Sequence, residues 1–122
     1  MIIEFEATEF GVHEEPDYIT CGASNTESDK DQHYFFLQRS FDENGWDDGK
    51  IYFEIDYKEN GNYEIVTKCI LNGNLFDIRL RKGCNAGIEK ILVILPNRSD
   101  EIKDFANGLK KLFYNNNILR VI

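Results

Sequence analysis

Cysteine is scarce in this sequence, and its placement excludes the chemistry that cysteines most often bring. Cys21, Cys69 and Cys84 are the only three, and no two fall in the C-x-x-C spacing of zinc and redox motifs. An odd, scattered set makes no disulfide framework, so the thiols read as reduced and the chain as cytosolic. Histidine is scarcer still, with only His13 and His33. No local motif joins either to a nucleophile and an orienting acid, as hydrolytic chemistry requires. Gly83 and Gly87 do not lead into a G-x-x-x-x-G-K helix start, so no phosphate-cradling loop is expected. The opening Met1-Ile2-Ile3-Glu4-Phe5-Glu6 lacks the basic start and apolar core of a signal peptide. No apolar run approaches the roughly 20 residues of a membrane-spanning helix. Internal repeats and linkers rich in proline, glycine or serine are also missing. The expectation is one domain over residues 1–122, with no cofactor.

What is present suffices for a core. Of the 122 residues, 42% are hydrophobic and 13% aromatic, too many for a disordered chain. The net charge is −8, from 22 acidic and 14 basic residues, and it is unevenly spread. Residues 1–61 carry 16 acidic and 4 basic groups, whereas residues 62–122 carry 6 and 10. Such asymmetry can place a negative field over one side of the molecule. That field repels nucleic acid and anionic membranes and attracts a basic protein. Arg79, Arg81, Lys82, Lys90, Lys110 and Lys111 offer a basic patch, but acid outweighs base, opposite to the balance that drives phosphate binding.

The hydrophobic pattern predicts an α+β fold: an antiparallel sheet of about six to eight strands with a central meander, packed by one main C-terminal helix. Ile3, Phe5 and Ala7 alternate with Glu4, Glu6 and Thr8, the pattern of a half-buried strand. Strands are also expected over 17–21, 33–39, 50–58, 63–71, 75–81, 88–95 and 118–122. Asn60-Gly61 and Asn72-Gly73 predict two type I′ turns, which together give the meander. The apolar run 91–95 suits a strand covered on both faces. Ile102, Phe105, Ala106, Leu109, Leu112 and Phe113 form an apolar stripe at helical spacing, capped by Ser99 or Asp100.

Two features bear on function. Glu54 and Asp56 share a strand face if the alternation is regular, so their carboxylates can converge for acid–base work or a divalent ion. A salt-bridged face with Arg79 or Arg81 is the simpler reading. The acidic segments are the stronger signal for binding: Glu27, Asp29 and Asp31, then Asp42, Glu43, Asp47 and Asp48 around Trp46, the only tryptophan. Tryptophan is a frequent interface anchor, and flanking acids steer a cationic partner.

The succession Phe36-Leu37-Gln38-Arg39-Ser40, an acidic loop, Ile51-Tyr52-Phe53-Glu54-Ile55 and Leu71-x-x-x-Leu75-x-x-x-x-Leu80 resembles the immunity protein 10 family of bacterial polymorphic toxin systems. The resemblance covers about residues 33–113. It implies a cytosolic, non-catalytic protein that binds and neutralises a cognate toxin, and the acidic segments are expected to cover a basic surface on that toxin. The alternatives are a small enzyme or metal-binding protein using Glu54 and Asp56, and an oligomeric scaffold module joined through an exposed sheet edge.

Overall fold

The computed structural model describes residues 1–25, 32–41, 47–83 and 87–122. In chain order its elements are β1 (Ile2–Glu6), β2 (Glu9–Glu15), β3 (Tyr18–Ser24), β4 (Tyr34–Ser40), β5 (Ile51–Ile55), β6 (Tyr57–Tyr63), β7 (Val66–Asn72), β8 (Leu75–Leu80), β9 (Lys90–Ile94), α1 (Ser99–Leu112) and β10 (Leu119–Val121). The α+β class with one C-terminal helix is therefore as the sequence predicts. The strands divide into two five-stranded sheets, a first in the order β1-β9-β8-β7-β10 and a second in the order β2-β3-β4-β5-β6. The second is antiparallel throughout, while β1 joins β9, and β10 joins β7, in parallel. No described helix is long and apolar enough to cross a membrane.

The chain passes between the sheets abruptly. Ala7 N donates to Ile94 O of the first sheet, and the next amide, Thr8 N, donates to Ser24 O of the second. It returns the same way, with Glu64 N donating to Ile51 O and Arg81 N donating to Ile65 O. These crossings account for the first difference from the expected meander. Asn60-Gly61 is not a turn but lies inside β6, and the reversals on either side fall at Asp56 and Glu64, with φ of 64° and 61°. Both acids offset the left-handed backbone by binding nearby amides: Asp56 Oδ1 accepts from Tyr34 N and Glu64 Oε1 from Ile51 N. The second turn falls one residue later than Asn72-Gly73: Asn72 ends β7, the loop is Gly73-Asn74, and only Gly73 has a positive φ, so it is not the expected type I′ turn. Asn72 pairs with Leu75 across Gly73, whose φ of 59° is one that a side chain would strain.

The inner faces of the two sheets meet. Ile3, Ile91, Ile78 and Cys69 line one row of the first sheet, and Phe5, Val93, Phe76 and Leu71 the next. Cys21, Phe35, Leu37, Phe53 and Ile55 face them from the second. Phe35 and Phe76 touch across the divide at 5.7 Å between ring centroids. Helix α1 packs on β2, β3 and β4, burying Phe105, Leu109 and Leu112 of the expected stripe. Phe105 stands edge-on to Phe10 and Phe76, so helix and both sheets share one core. The cap position falls at Arg98, just before the expected Ser99 or Asp100, and has no side-chain cap bond. Strand β9 is not sealed on both faces: Ile91, Val93 and Leu95 are buried, whereas Leu92 and Ile94 are half-buried on the outer face. Strand β2 was not expected, because its E-F-G-V-H-E-E stretch is mostly exposed and carries little apolar alternation.

The fold turns a linear charge asymmetry into a two-sided one. Strands β2 to β6 fall between residues 9 and 63, whose described residues carry 9 acidic and 3 basic groups, net −6. The remaining described residues carry 8 acidic and 10 basic groups, net +2.

Candidate functional site: the outer face of the second sheet

Alternation along β3, β4 and β5 sends one set of side chains into the core and the other to the outer face of the second sheet. The pairing register aligns the outer set in rows. One row runs Thr20, Gln38, Tyr52 and Tyr63, the next Gly22, Phe36, Glu54 and Gly61, and the third pairs Ser24 with Tyr34. Tyr34 and Phe36 stack with centroids 6.4 Å apart, Phe36 lies 5.7 Å from Tyr52, and Tyr52 meets Tyr63 edge-on at 5.2 Å. Four aromatic rings thus form a continuous patch on a face that neither the helix nor the first sheet covers.

Glu54 sits within this patch. It is only 8% exposed, although alternation directs it outward. Tyr52 donates its hydroxyl to Oε1 at 2.7 Å, and Tyr34 donates to Oε2 at 2.5 Å. Gly61 is what lets Tyr52 fold across: a Cβ there would lie 1.9 Å from the tyrosine oxygen. Burial, and then the bond to Glu54, raise the Tyr34 phenol well above its ordinary pKa. The bond to Glu54 and then burial push Tyr52 up to about 12. Both therefore remain protonated donors throughout the physiological range. Among the described residues, no lysine, arginine or histidine nitrogen lies within 4.0 Å of Glu54. Among those residues, only neutral donors hold this carboxylate.

The expected pairing of Glu54 with Asp56 does not form in the way the alternation suggests. The register shifts between Glu54 and Ile55, and the positive φ at Asp56 turns its side chain to other partners. Asp56 Oδ2 lies 2.9 Å from His33 Nδ1, and Oδ1 accepts from Tyr34 N. Nor do Arg79 and Arg81 reach either acid. Arg79 lies in the first sheet and approaches Asp77 at 3.6 Å, while Lys90 approaches the same acid at 3.5 Å.

His33 stacks on Phe5 at 5.3 Å and lines a cleft of about 450 Å³ with Glu4, Glu6, Thr8 and Asn25. The described cysteines offer this histidine no thiolate. Burial pushes the Cys21 thiol up to about 12 and raises that of Cys69 further. No group of three or more histidine, cysteine, aspartate or glutamate side chains suited to a metal ion occurs among the described residues.

Of the sequence-predicted binding residues, Glu27, Asp29, Asp31, Asp42, Glu43 and Trp46 lie outside the described residues. Asp48 is exposed, accepts from Lys50 N at 2.9 Å, and lines a cleft with Ser40, Lys50 and Tyr63 at the margin of the aromatic patch. Asp47 is committed inward. Its Oδ2 lies 2.5 Å from Arg39 Nη2, and Oδ1 accepts from Gly49 N. The bond from Arg39 holds its carboxyl below the usual aspartate range.

A depressed pKa stabilises the fold above the unfolded-state value of about 3.9, and the contribution vanishes as pH falls through the folded value. Asp47→Asn is therefore expected to lower stability by about 1.5–3 kcal/mol at pH 7. Urea unfolding should show that deficit shrinking as the pH drops below about 4. A deficit equally large in acid would mean that the charge contributes nothing.

Sequence reasoning passed over Tyr34, Phe36 and Tyr63. A signal was available in H-Y-F-F-L-Q-R, which puts aromatic residues on both faces of one strand, more than a single core needs. No family model matches the chain, and no curated protein matches it.

Proposed function

We propose that this protein is a non-catalytic binding domain that captures a basic protein on the outer face of its second sheet, and that it serves as an immunity protein neutralising a bacterial toxin in the cytosol. The observation that carries this reading is an aromatic face that neither the helix nor the first sheet covers, on the acidic side of a charge-divided molecule. Aromatic residues supply the area and rigidity of an interface centre, and surrounding carboxylates raise the encounter rate with a cationic partner. Glu9 and Glu15 stand on this same face by register, and Asp48 borders it. The stretches that resemble immunity protein 10, residues 36–40 and 51–55, lie on β4 and β5, the strands that carry most of the patch. Buried, unpaired Cys21 and Cys69 suit a reducing compartment.

The reading requires a secreted toxin encoded beside this gene, and the test pairs the protein with that toxin. A 1:1 complex and loss of toxicity on co-expression are the expected results. Changing Glu9, Glu15 and Asp48 to lysine together should slow association about tenfold at low salt, with the gap closing as salt rises. A wild-type protein that neither binds nor protects against that toxin would overturn the reading.

A further inference from the structure

We propose that Tyr34 and Tyr52, together with Phe36 and Tyr63, form a platform for the guanidinium of one arginine in the partner, and that Glu54 charges this platform from beneath through the two phenols. The inference rests on the protein-binding reading and adds the group that is recognised.

Three observations carry it. The first is that Glu54 is nearly buried with no cation within 4.0 Å among the described residues. Buried carboxylates in folded proteins are ordinarily paired, because removing a charge from water is costly. Two neutral hydroxyls satisfy its hydrogen bonding, and no cation among the described residues compensates its charge.

The second is that both hydroxyls donate to it. A phenol bonded to a carboxylate is polarised toward phenolate, since linked hydrogen bonds strengthen one another. Its ring face becomes more negative, and attraction for a cation over that face grows. Glu54 thus acts on a ligand through Tyr34 and Tyr52, as a positioning residue that need not touch it.

The third is shape and charge. Arginine is planar, less strongly hydrated than lysine, and stacks on aromatic faces, whereas an ammonium is a compact, strongly hydrated point charge. Four adjoining rings, of which Tyr34 and Phe36 lie within 13° of parallel, stand on the side of the molecule with net −6 and offer ring faces to the planar cation.

The experiment titrates the full-length protein with two short peptides that differ only in one residue, arginine or lysine, following the ring protons of the tyrosines and phenylalanines by NMR. The arginine peptide should shift Tyr34, Phe36, Tyr52 and Tyr63 selectively and bind about fivefold to tenfold more tightly than its lysine twin. Glu54→Gln should bring that ratio close to one, and so should Tyr52→Leu. Simple loss of structure would weaken both peptides without changing their ratio. Tyr63→Ala, at a residue 58% exposed, should reduce the arginine preference with the fold intact.

Equal affinity for the two peptides, or shifts spread over the whole acidic side, would overturn the proposal. The toxin separates this failure from that of the parent reading. A toxin held as tightly by Glu54→Gln as by the wild type removes the arginine platform and leaves the immunity function standing. If the wild type does not bind the toxin, the function falls, and the peptide pair still decides whether the platform exists.

Discussion

Replacing Arg39 by methionine should lower the unfolding free energy by about 3–5 kcal/mol, as removal of one partner from a buried ion pair does. Arg39 occupies an inward position on β4, between Ile19 and Ile51 in the register, and is only 5% exposed. Its Nη1 donates to Leu112 O at 2.9 Å and to Tyr114 O at 2.8 Å, carbonyls at the end of α1 that the helix itself cannot satisfy. Its Nη2 holds Asp47. One guanidinium therefore fastens the helix C-terminus and the start of β5 to the centre of the second sheet, with its charge complementing the helix dipole. Methionine keeps the apolar stem but leaves a part-buried carboxylate and two carbonyls without their donor. Urea unfolding at pH 7 measures the loss. Adding Asp47→Asn should cost less in the methionine background than alone, because the two residues share one interaction. A loss below about 1 kcal/mol would mean that water replaces the guanidinium at all three acceptors.

Phe76→Ala should destabilise the protein by a similar amount, about 3–5 kcal/mol, by a different route. Phe76 is fully buried on β8 and lies 5.7 Å from both Phe35 of the second sheet and Phe105 of the helix. Truncation removes ring burial and leaves a cavity where three elements meet, and none of the three can relax inward without pulling on the others. The urea midpoint should fall while the slope stays near the wild-type value, since the surface exposed on unfolding barely changes. Leu75→Ala provides the contrast. Its side chain is on the outer face and 38% exposed, so its loss should fall within about 0.5 kcal/mol. Equal effects at the two positions would contradict the assignment of inner and outer faces.

Both predictions concern positions whose roles were unequally legible. Phe76 belongs to the strand-period pattern of β8, so its burial follows from alternation once that strand is accepted. Arg39 reads from the sequence as the polar end of an aromatic strand. Its role depends on the last turn of α1, more than 70 residues later, which no local pattern reports. Asp47 shows the same limit. Counted among the acids around Trp46, it is a natural surface charge, yet its carboxylate is bound to Arg39. Glu54 is the clearest instance, since period-2 alternation directs it outward and tyrosines on β4 and β5 enclose it.

The sequence by itself determined the α+β class, the apolar stripe of α1, the inward set Ile3, Phe5 and Ala7, a chain reversal at Gly73 and the charge division along the chain. All of these follow from local periodicity, backbone preference or simple counting. Tertiary structure decided that the strands form two sheets, that Asn60-Gly61 continues a strand, and that the acidic half becomes one side of the molecule. It also gathered Tyr34, Phe36, Tyr52 and Tyr63 around Glu54. The physical reason is the same in each case: which strand pairs with which depends on the burial gained by the whole core, and that gain outweighs the preference of any one turn.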